Sequence, residues 1–313
     1  MRPLPCRLAH VERSRPRART RARFRSRRRR EVDDRHRGDP VNIAKHTRAY
    51  AVRSSIAVAS LLLVAGCGSN DTPDSTDTPA AQSSSSAATP RTLTVFAAAS
   101  LQKSFEEIGK TFEKAHPGVT VKFSFGGSSG LVSQLSDGAP ADVLATANES
   151  TMKKAVTDGL VTGEPTPFVS NTLQIVVPKD NPAGITSLAD LTKPGAKVVL
   201  CAPAVPCGAA AISVEKAAGI DIKPVSEEQA VTDVLGKVRS GEADAGLVYV
   251  TDVKGAGAEV TGLDFAEAKS AINIYPIASL KGATDATLAG EFVTAITGAE
   301  GQKVLQAAGF AAP

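Results

Sequence analysis

The sequence predicts an α/β fold of largely parallel sheets layered with helices, and three observations carry that expectation. Beyond residue 90, apolar runs of strand length alternate with segments whose apolar residues recur at helical spacing. No internal repeat or heptad run is visible. Roughly 220 residues remain there, which suits one large domain or two lobes with a cleft between them.

In chain order, "RTLTVFAAAS" from Arg91 reads as a strand, and "LQKSFEEIGKTFEKAH" reads as a helix with Leu101, Phe105, Ile108 and Phe112 on one face. "VTVKFSF" is the next strand, "SGLVSQLSDG" a short helix stopped by glycine, and "ADVLATA" another strand. "TLQIVVP", "AKVVLCAP", "AGLVYV" and "IYPIASL" continue the strand series. Helices are expected at "GAAAISVEKAAG", at "AVTDVLGKVRSGE" and, as one long element, at "LAGEFVTAITGAEGQKVLQAAG". Strand followed by helix throughout argues for parallel pairing.

The first 66 residues read differently. Residues 1–40 are arginine-rich, with the run Arg27-Arg28-Arg29-Arg30, and have almost no apolar periodicity. A nucleic-acid-binding arm is one reading; a leader upstream of the real translation start, near Val41, is the other. The second fits the character of residues 41–67. Lys45, Arg48 and Arg53 form a basic n-region, and "SIAVASLLLVAG" (residues 55–66) forms an apolar h-region, shorter than the roughly 20 residues a membrane span needs. It ends in Leu63-Val64-Ala65-Gly66-Cys67, which resembles the lipobox of bacterial lipoproteins, so Cys67 is the expected lipidation site. Residues 69–90, rich in Ser, Thr, Pro and Ala, have too few large apolar residues to offset the entropy of folding and read as a flexible tether.

Removing the leader reverses the charge. Residues 1–66 hold 18 of the 36 Lys+Arg and 5 of the 32 Asp+Glu, so residues 67–313 carry 18 minus 27, or −9. An acidic exported domain is a poor nucleic-acid binder. Two cysteines come after Cys67, Cys201 and Cys207, six positions apart in a stretch containing Pro203 and Pro206. Export permits a disulfide between them, with two free thiols or half a metal site as the alternatives. His116 is the sole histidine after Cys67, which disfavours a metal cluster.

Four strand-to-helix junctions share a character. Ser100 follows "TVFAAA", Ser128 follows "KFSFGG", Cys207-Gly208 precedes "AAAIS", and Val231-Thr232 opens "DVLGKV". Each helix start presents unpaired N–H groups and the positive end of a dipole, and so can hold an anion. Gly126-Gly127-Ser128-Ser129-Gly130 also spells the G-x-S-x-G of a hydrolase nucleophile. A triad there needs its acid and then its histidine after the serine, whereas His116 precedes it by twelve residues. Lys122 alternates outward on its strand, leaving Ser128 without a positioned base.

"TVFAAASL", "GAPADVLATA", "VPCGAAA" and "GLVYVTD" resemble the molybdate-binding component of ABC importers, in family order and across essentially residues 91–313. The resemblance implies a two-lobed, type II periplasmic-binding-protein-like fold with the ligand in the cleft, lobe 1 comprising residues 91–174 with 278–313 and lobe 2 residues 175–277. It implies no enzyme activity and no cofactor. It implies a tetrahedral oxyanion held by Ser100 and Ser128, the amides of Cys207 and Val231, and the hydroxyl of Tyr249. The chain departs from the family at Gln229, where an acidic residue usually stands two positions before the valine, and at Cys207, where relatives carry alanine. Its implied partners are molybdate or tungstate, a membrane permease and, through the lipid anchor, the outer face of the cytoplasmic membrane; it is expected to be a monomer.

The chemistry agrees with the resemblance. A dianion offers acceptors only, and hydrogen bonds to charged groups contribute about 1.5–3 kcal/mol each, so some seven of them exceed ~10 kcal/mol before ordering costs. Asp142 in "APADV" would repel a dianion and is expected to hydrogen-bond structurally; Asp252 is expected to cap a turn. Sulfate or phosphate is the competing ligand reading, and an adhesin or sensor using an exposed surface is the competing class.

Overall fold

The computed structural model describes residues 90–313; the leader, the Cys67 lipidation site and the tether lie outside them. Ten strands form two five-stranded sheets. The first has the order β2-β1-β3-β10-β4, from β1 (Arg91–Ala98), β2 (Val119–Gly126), β3 (Val143–Ala145), β4 (Thr166–Asn171) and β10 (Asn273–Ser279). The second has the order β7-β6-β8-β5-β9, from β5 (Leu173–Pro178), β6 (Val198–Cys201), β7 (Ser226–Glu228), β8 (Ala245–Tyr249) and β9 (Val260–Leu263).

The expectation of largely parallel sheets needs correction. In each sheet three strands pair in parallel, β2-β1-β3 and β7-β6-β8, while β10 runs antiparallel to β3 and β4, and β5 antiparallel to β8 and β9. The exceptions are the strands by which the chain changes sheets. Thr172 alone separates β4 from β5, and the chain returns between β9 and β10. A strand arriving directly from the other sheet, with no crossover helix to turn it round, meets the parallel strands head-on.

The helices are α1 (Gln102–Ala115), α2 (Ser128–Ser136), α3 (Glu149–Thr157), α4 (Pro206–Ala218), α5 (Val231–Arg239), α6 (Val250–Ala256), α7 (Ala286–Thr297) and α8 (Ala299–Ala308). The predicted face of α1 is buried: Phe105 is fully enclosed and Ile108 and Phe112 nearly so. Phe105 and Phe112 meet Phe292 of α7 edge-on, with ring centroids 6.2 and 5.2 Å apart. The single C-terminal helix expected from sequence is two. Gly298 is extended at φ −75°, ψ 170°, between α7 and α8, and at Gly301 a Cβ would lie 2.2 Å from the Ala295 oxygen, so the glycines let α8 fold back against the end of α7. Among the described residues no helix is long and apolar enough to cross a membrane.

Candidate functional site

Four helix starts meet between the sheets. The chain leaves β1 into one 3-10 turn, Ala99–Leu101, that leads into α1. It leaves β2 through Gly127 into α2, leaves β6 into α4 with Pro206 in the first turn, and enters α5 from Ala230. None of these four starts has a side chain capping it. Their first-turn amides have no partner within the helix.

A narrow pocket, with room for about 10 Å³ and open to solvent on one side, is lined by Ala98, Ser100, Gly127, Ser128, Cys207, Val231 and Tyr249 among others. Thus all five residues expected to hold a ligand stand around one cavity, with Ser100 and Ser128 following strands of the first sheet and Cys207, Val231 and Tyr249 coming from elements of the second. No lysine, arginine, aspartate or glutamate lines it. Its polarity comes from hydroxyls, amides and helix dipoles, a donor set suited to an anion.

The two walls touch. Ser129 Oγ donates to the Ala204 carbonyl at 2.6 Å, and Lys103 Nζ donates to the Gly255 carbonyl. Gly127 is the tightest approach: a Cβ there would sit 1.9 Å from the backbone oxygen of Gln229. Its φ of −63° is open to any residue, so the glycine is required by space. Cys201, at the end of β6, and Cys207, in the first turn of α4, are joined by a disulfide with their Cα atoms 5.7 Å apart. Gly208 lies beneath that loop, where a Cβ would meet the Ala202 oxygen at 1.9 Å.

Behind the cavity lies a buried polar layer that sequence reasoning missed. Tyr249 OH accepts from Asn273 Nδ2 at 2.9 Å, and Ser100 Oγ lies 3.0 Å from Tyr275 OH. Asn171 Nδ2 donates to Thr251 Oγ1 at 2.8 Å. Burial pushes both phenols up from their ordinary value and the nearby Asp252 carboxyl pushes both further, so each keeps its proton. A signal for Asn273 and Tyr275 was present: they sit at alternate positions of "NIYPIASL", the polar exceptions on one side of an apolar strand.

The matches with known proteins fit this geometry. The family described as bacterial extracellular solute-binding protein matches residues 93–311. The chain belongs to that family. The molybdate-binding protein ModA of Mycobacterium tuberculosis is 47% identical over 262 residues, 83% of this chain and 98% of that one. A putative ABC transporter substrate-binding lipoprotein of Bacillus subtilis, YvgL, is 36% identical over 264 residues, 82% of this chain and 96% of that one. In fold, the periplasmic molybdate-binding protein of Azotobacter vinelandii superposes with a TM-score of 0.62 at 22% identity, covering 71% of this chain and 99% of that one. The fold is therefore the two-lobed one of solute-binding proteins.

Other residues of this solute-binding protein have structural duties. Asp142 accepts from the Thr94 and Thr284 amides, each at 2.7 Å, and so ties β1 to the loop after β10. Asp252 accepts from the Tyr249 amide at 2.9 Å, holding the start of α6; burial pushes its carboxyl up to about 7. His116 ends α1, with Nδ1 2.9 Å from the Phe112 oxygen and Nε2 3.3 Å from Glu291. Ser128 Oγ is engaged by the Ala147 amide at 3.0 Å. Lys122 is exposed. A wider groove beside the cavity shares Ala99 and Ser100 with it and is lined by Lys103, Arg239 and Lys254. Within it Arg239 already pairs with Glu259 at 3.3 Å. Among the described residues no cluster of three or more His, Cys, Asp or Glu could hold a metal ion.

Proposed function

We propose that this protein captures molybdate, and tungstate with it, outside the cytoplasm and delivers it to an ABC importer. The observation that carries the reading is the gathering of four uncapped helix starts and the Tyr249 hydroxyl around one cavity free of charged side chains. The 47% identity to a molybdate-binding protein supports the choice of oxyanion. Ser100 and Ser128 contribute hydroxyls and amides, Cys207 and Val231 amides, and Tyr249 its hydroxyl. The protein acts as a carrier, with no cofactor and no chemical step.

The mechanism derives from how the donors are divided. An anion bound to one wall alone satisfies part of its acceptor capacity; closing brings up the other wall and satisfies the rest. The ligand thus favours the closed state by its differential affinity. We place the division between the lobes where the chain changes sheets, between β4 and β5 and between β9 and β10. The closed protein, a monomer tethered through lipidated Cys67, then docks on a membrane permease. The lipoprotein relative at 36% identity supports the anchor.

Isothermal titration of the purified protein with molybdate, tungstate, sulfate and phosphate in anion-free buffer tests this. One-to-one binding of the first two, with sulfate orders of magnitude weaker, is expected. Tighter sulfate or phosphate binding would change the substrate and keep the mechanism; no binding by folded protein would overturn the site.

A further inference from the structure

Asn273 stands on β10 of the first sheet and reaches Tyr249 at the end of β8 in the second; both side chains are buried. Its Nδ2 lies 2.8 Å from the Ala147 carbonyl oxygen and 2.9 Å from Tyr249 OH. A carbonyl oxygen only accepts, so the atom beside it is the amide nitrogen, and the orientation of Asn273 is fixed by chemistry. One of its hydrogens goes to Ala147 and the other to Tyr249. The phenol oxygen therefore accepts there, and its own hydrogen is left for another partner.

The amide of Ala147 does the same for Ser128. Ala147 N–H donates to Ser128 Oγ at 3.0 Å, leaving the serine hydrogen free. Ala147 itself lines the cavity with both residues. One residue's backbone thus sets the polarity of two hydroxyls on opposite walls. Tyr275, whose ring meets Tyr249 edge-on at 5.9 Å, is itself engaged with Ser100 Oγ.

From this arrangement we propose that Asn273 is a positioning residue that makes Tyr249 a donor toward the ligand, and that it thereby excludes oxyanions carrying a proton. A fully ionised tetrahedral dianion presents only acceptors. A hydrogen-bearing one, such as hydrogen phosphate, brings a hydroxyl that needs an acceptor, whereas Ser128 and Tyr249 each already accept one hydrogen bond, from Ala147 N–H and Asn273, and so turn their hydrogens rather than their lone pairs toward the ligand. An unmatched buried donor is costly.

The inference rests on the oxyanion reading above, and a double-mutant cycle separates the two. Molybdate and phosphate affinities are measured for the unaltered protein, Asn273→Ala, Tyr249→Phe, the double variant and Asn273→Asp, with thermal unfolding as the folding control. Asn273→Ala should weaken molybdate binding about tenfold or more alone and less than about twofold on top of Tyr249→Phe, because its effect runs through that hydroxyl. Fully additive losses would overturn the positioning role. Asn273→Asp, which accepts where the amide donated, should draw the Tyr249 hydrogen away from the cavity and raise the phosphate-to-molybdate affinity ratio about tenfold; an unchanged or lower ratio in a folded variant would overturn the selectivity. If the aspartate variant fails to fold, the alanine cycle decides. Failure of the unaltered protein to bind any oxyanion would instead sink the functional reading.

Discussion

The helix starts facing the cleft and those facing away from it solve the same problem in opposite ways. Away from the cleft, α3 is capped by Asn148, whose side chain accepts from the Thr151 amide at 3.0 Å, and α7 by Asp285, which accepts from Leu288 at 3.0 Å. That bond, together with Arg91 at 3.0 Å, holds the Asp285 carboxyl below its ordinary value. At the cleft, the starts leading to α1, α2, α4 and α5 have no such side chain. A cap typically stabilises by ~1 kcal/mol, so four omitted caps forgo stability of the same order as a whole domain's margin. The difference teaches where the ligand belongs: in the bound state the oxyanion takes the place of the missing caps. α8, which follows Gly298 directly from α7, is uncapped for a local reason, the tight turn between two helices.

Four substitutions test that contrast. The largest effect is expected from Gly127→Ala, whose Cβ would collide with the Gln229 oxygen and hold the walls apart. Losing about three hydrogen bonds to charged oxygens should cost on the order of 10³-fold in molybdate affinity, with the unfolding temperature of the ligand-free protein little changed. Unchanged affinity would mean that closure plays no part in binding. Next is Ala230→Asp, which gives α5 the cap it lacks. Ligand-free stability should rise by ~0.5–1 kcal/mol while affinity falls about tenfold, since a carboxylate then competes with the anion for the same helix end. A gain in both would break the comparison.

Asn148→Ala should do the converse, costing ~1 kcal/mol in denaturant unfolding and leaving affinity untouched. The last is Asp252→Asn, read in the pH dependence of stability. Burial raises the folded pKa of Asp252 to about 7, above the ~3.9 of an unfolded aspartate. The folded state therefore binds the proton more tightly, and this contribution to stability is complete below about pH 4 and lost as pH rises through about 7. Thermal unfolding followed from pH 4 to 8 should decline for the native protein and flatten for the asparagine variant, which still offers an oxygen to the Tyr249 amide.

Much of this was legible in the sequence because strand-to-helix junctions announce themselves locally. "VFAAAS", "FSFGGS" and "VPCG" each end an apolar run and begin a helix, and each helix starts within a residue or two of the expected place. Pairing direction was not legible, since β5 and β10 have the same apolar composition as the parallel strands and differ only in how the chain reaches them. β7 (Ser226–Glu228) escaped notice because three polar residues at a sheet edge have no periodicity to read. The buried layer of Asn171, Asn273 and Tyr275 was legible only in part. The polar exceptions of "NIYPIASL" mark Asn273 and Tyr275 within their own strand, but the layer itself exists only where strands remote in sequence are brought side by side.

The contact of Gly127 with the Gln229 carbonyl makes the closed cleft a backbone gauge. Two main chains touch, and neither can be trimmed by substituting a side chain. The span between the walls, and so the diameter of the ion that fits, is set by the course of β2 and of the chain entering α5. Side-chain changes around the cavity can weaken or re-polarise its hold, but a bulkier anion would need one of those two chain paths rebuilt. Size and chemistry are thus recorded in separate parts of the molecule, and a variant library confined to the lining side chains can alter only the second.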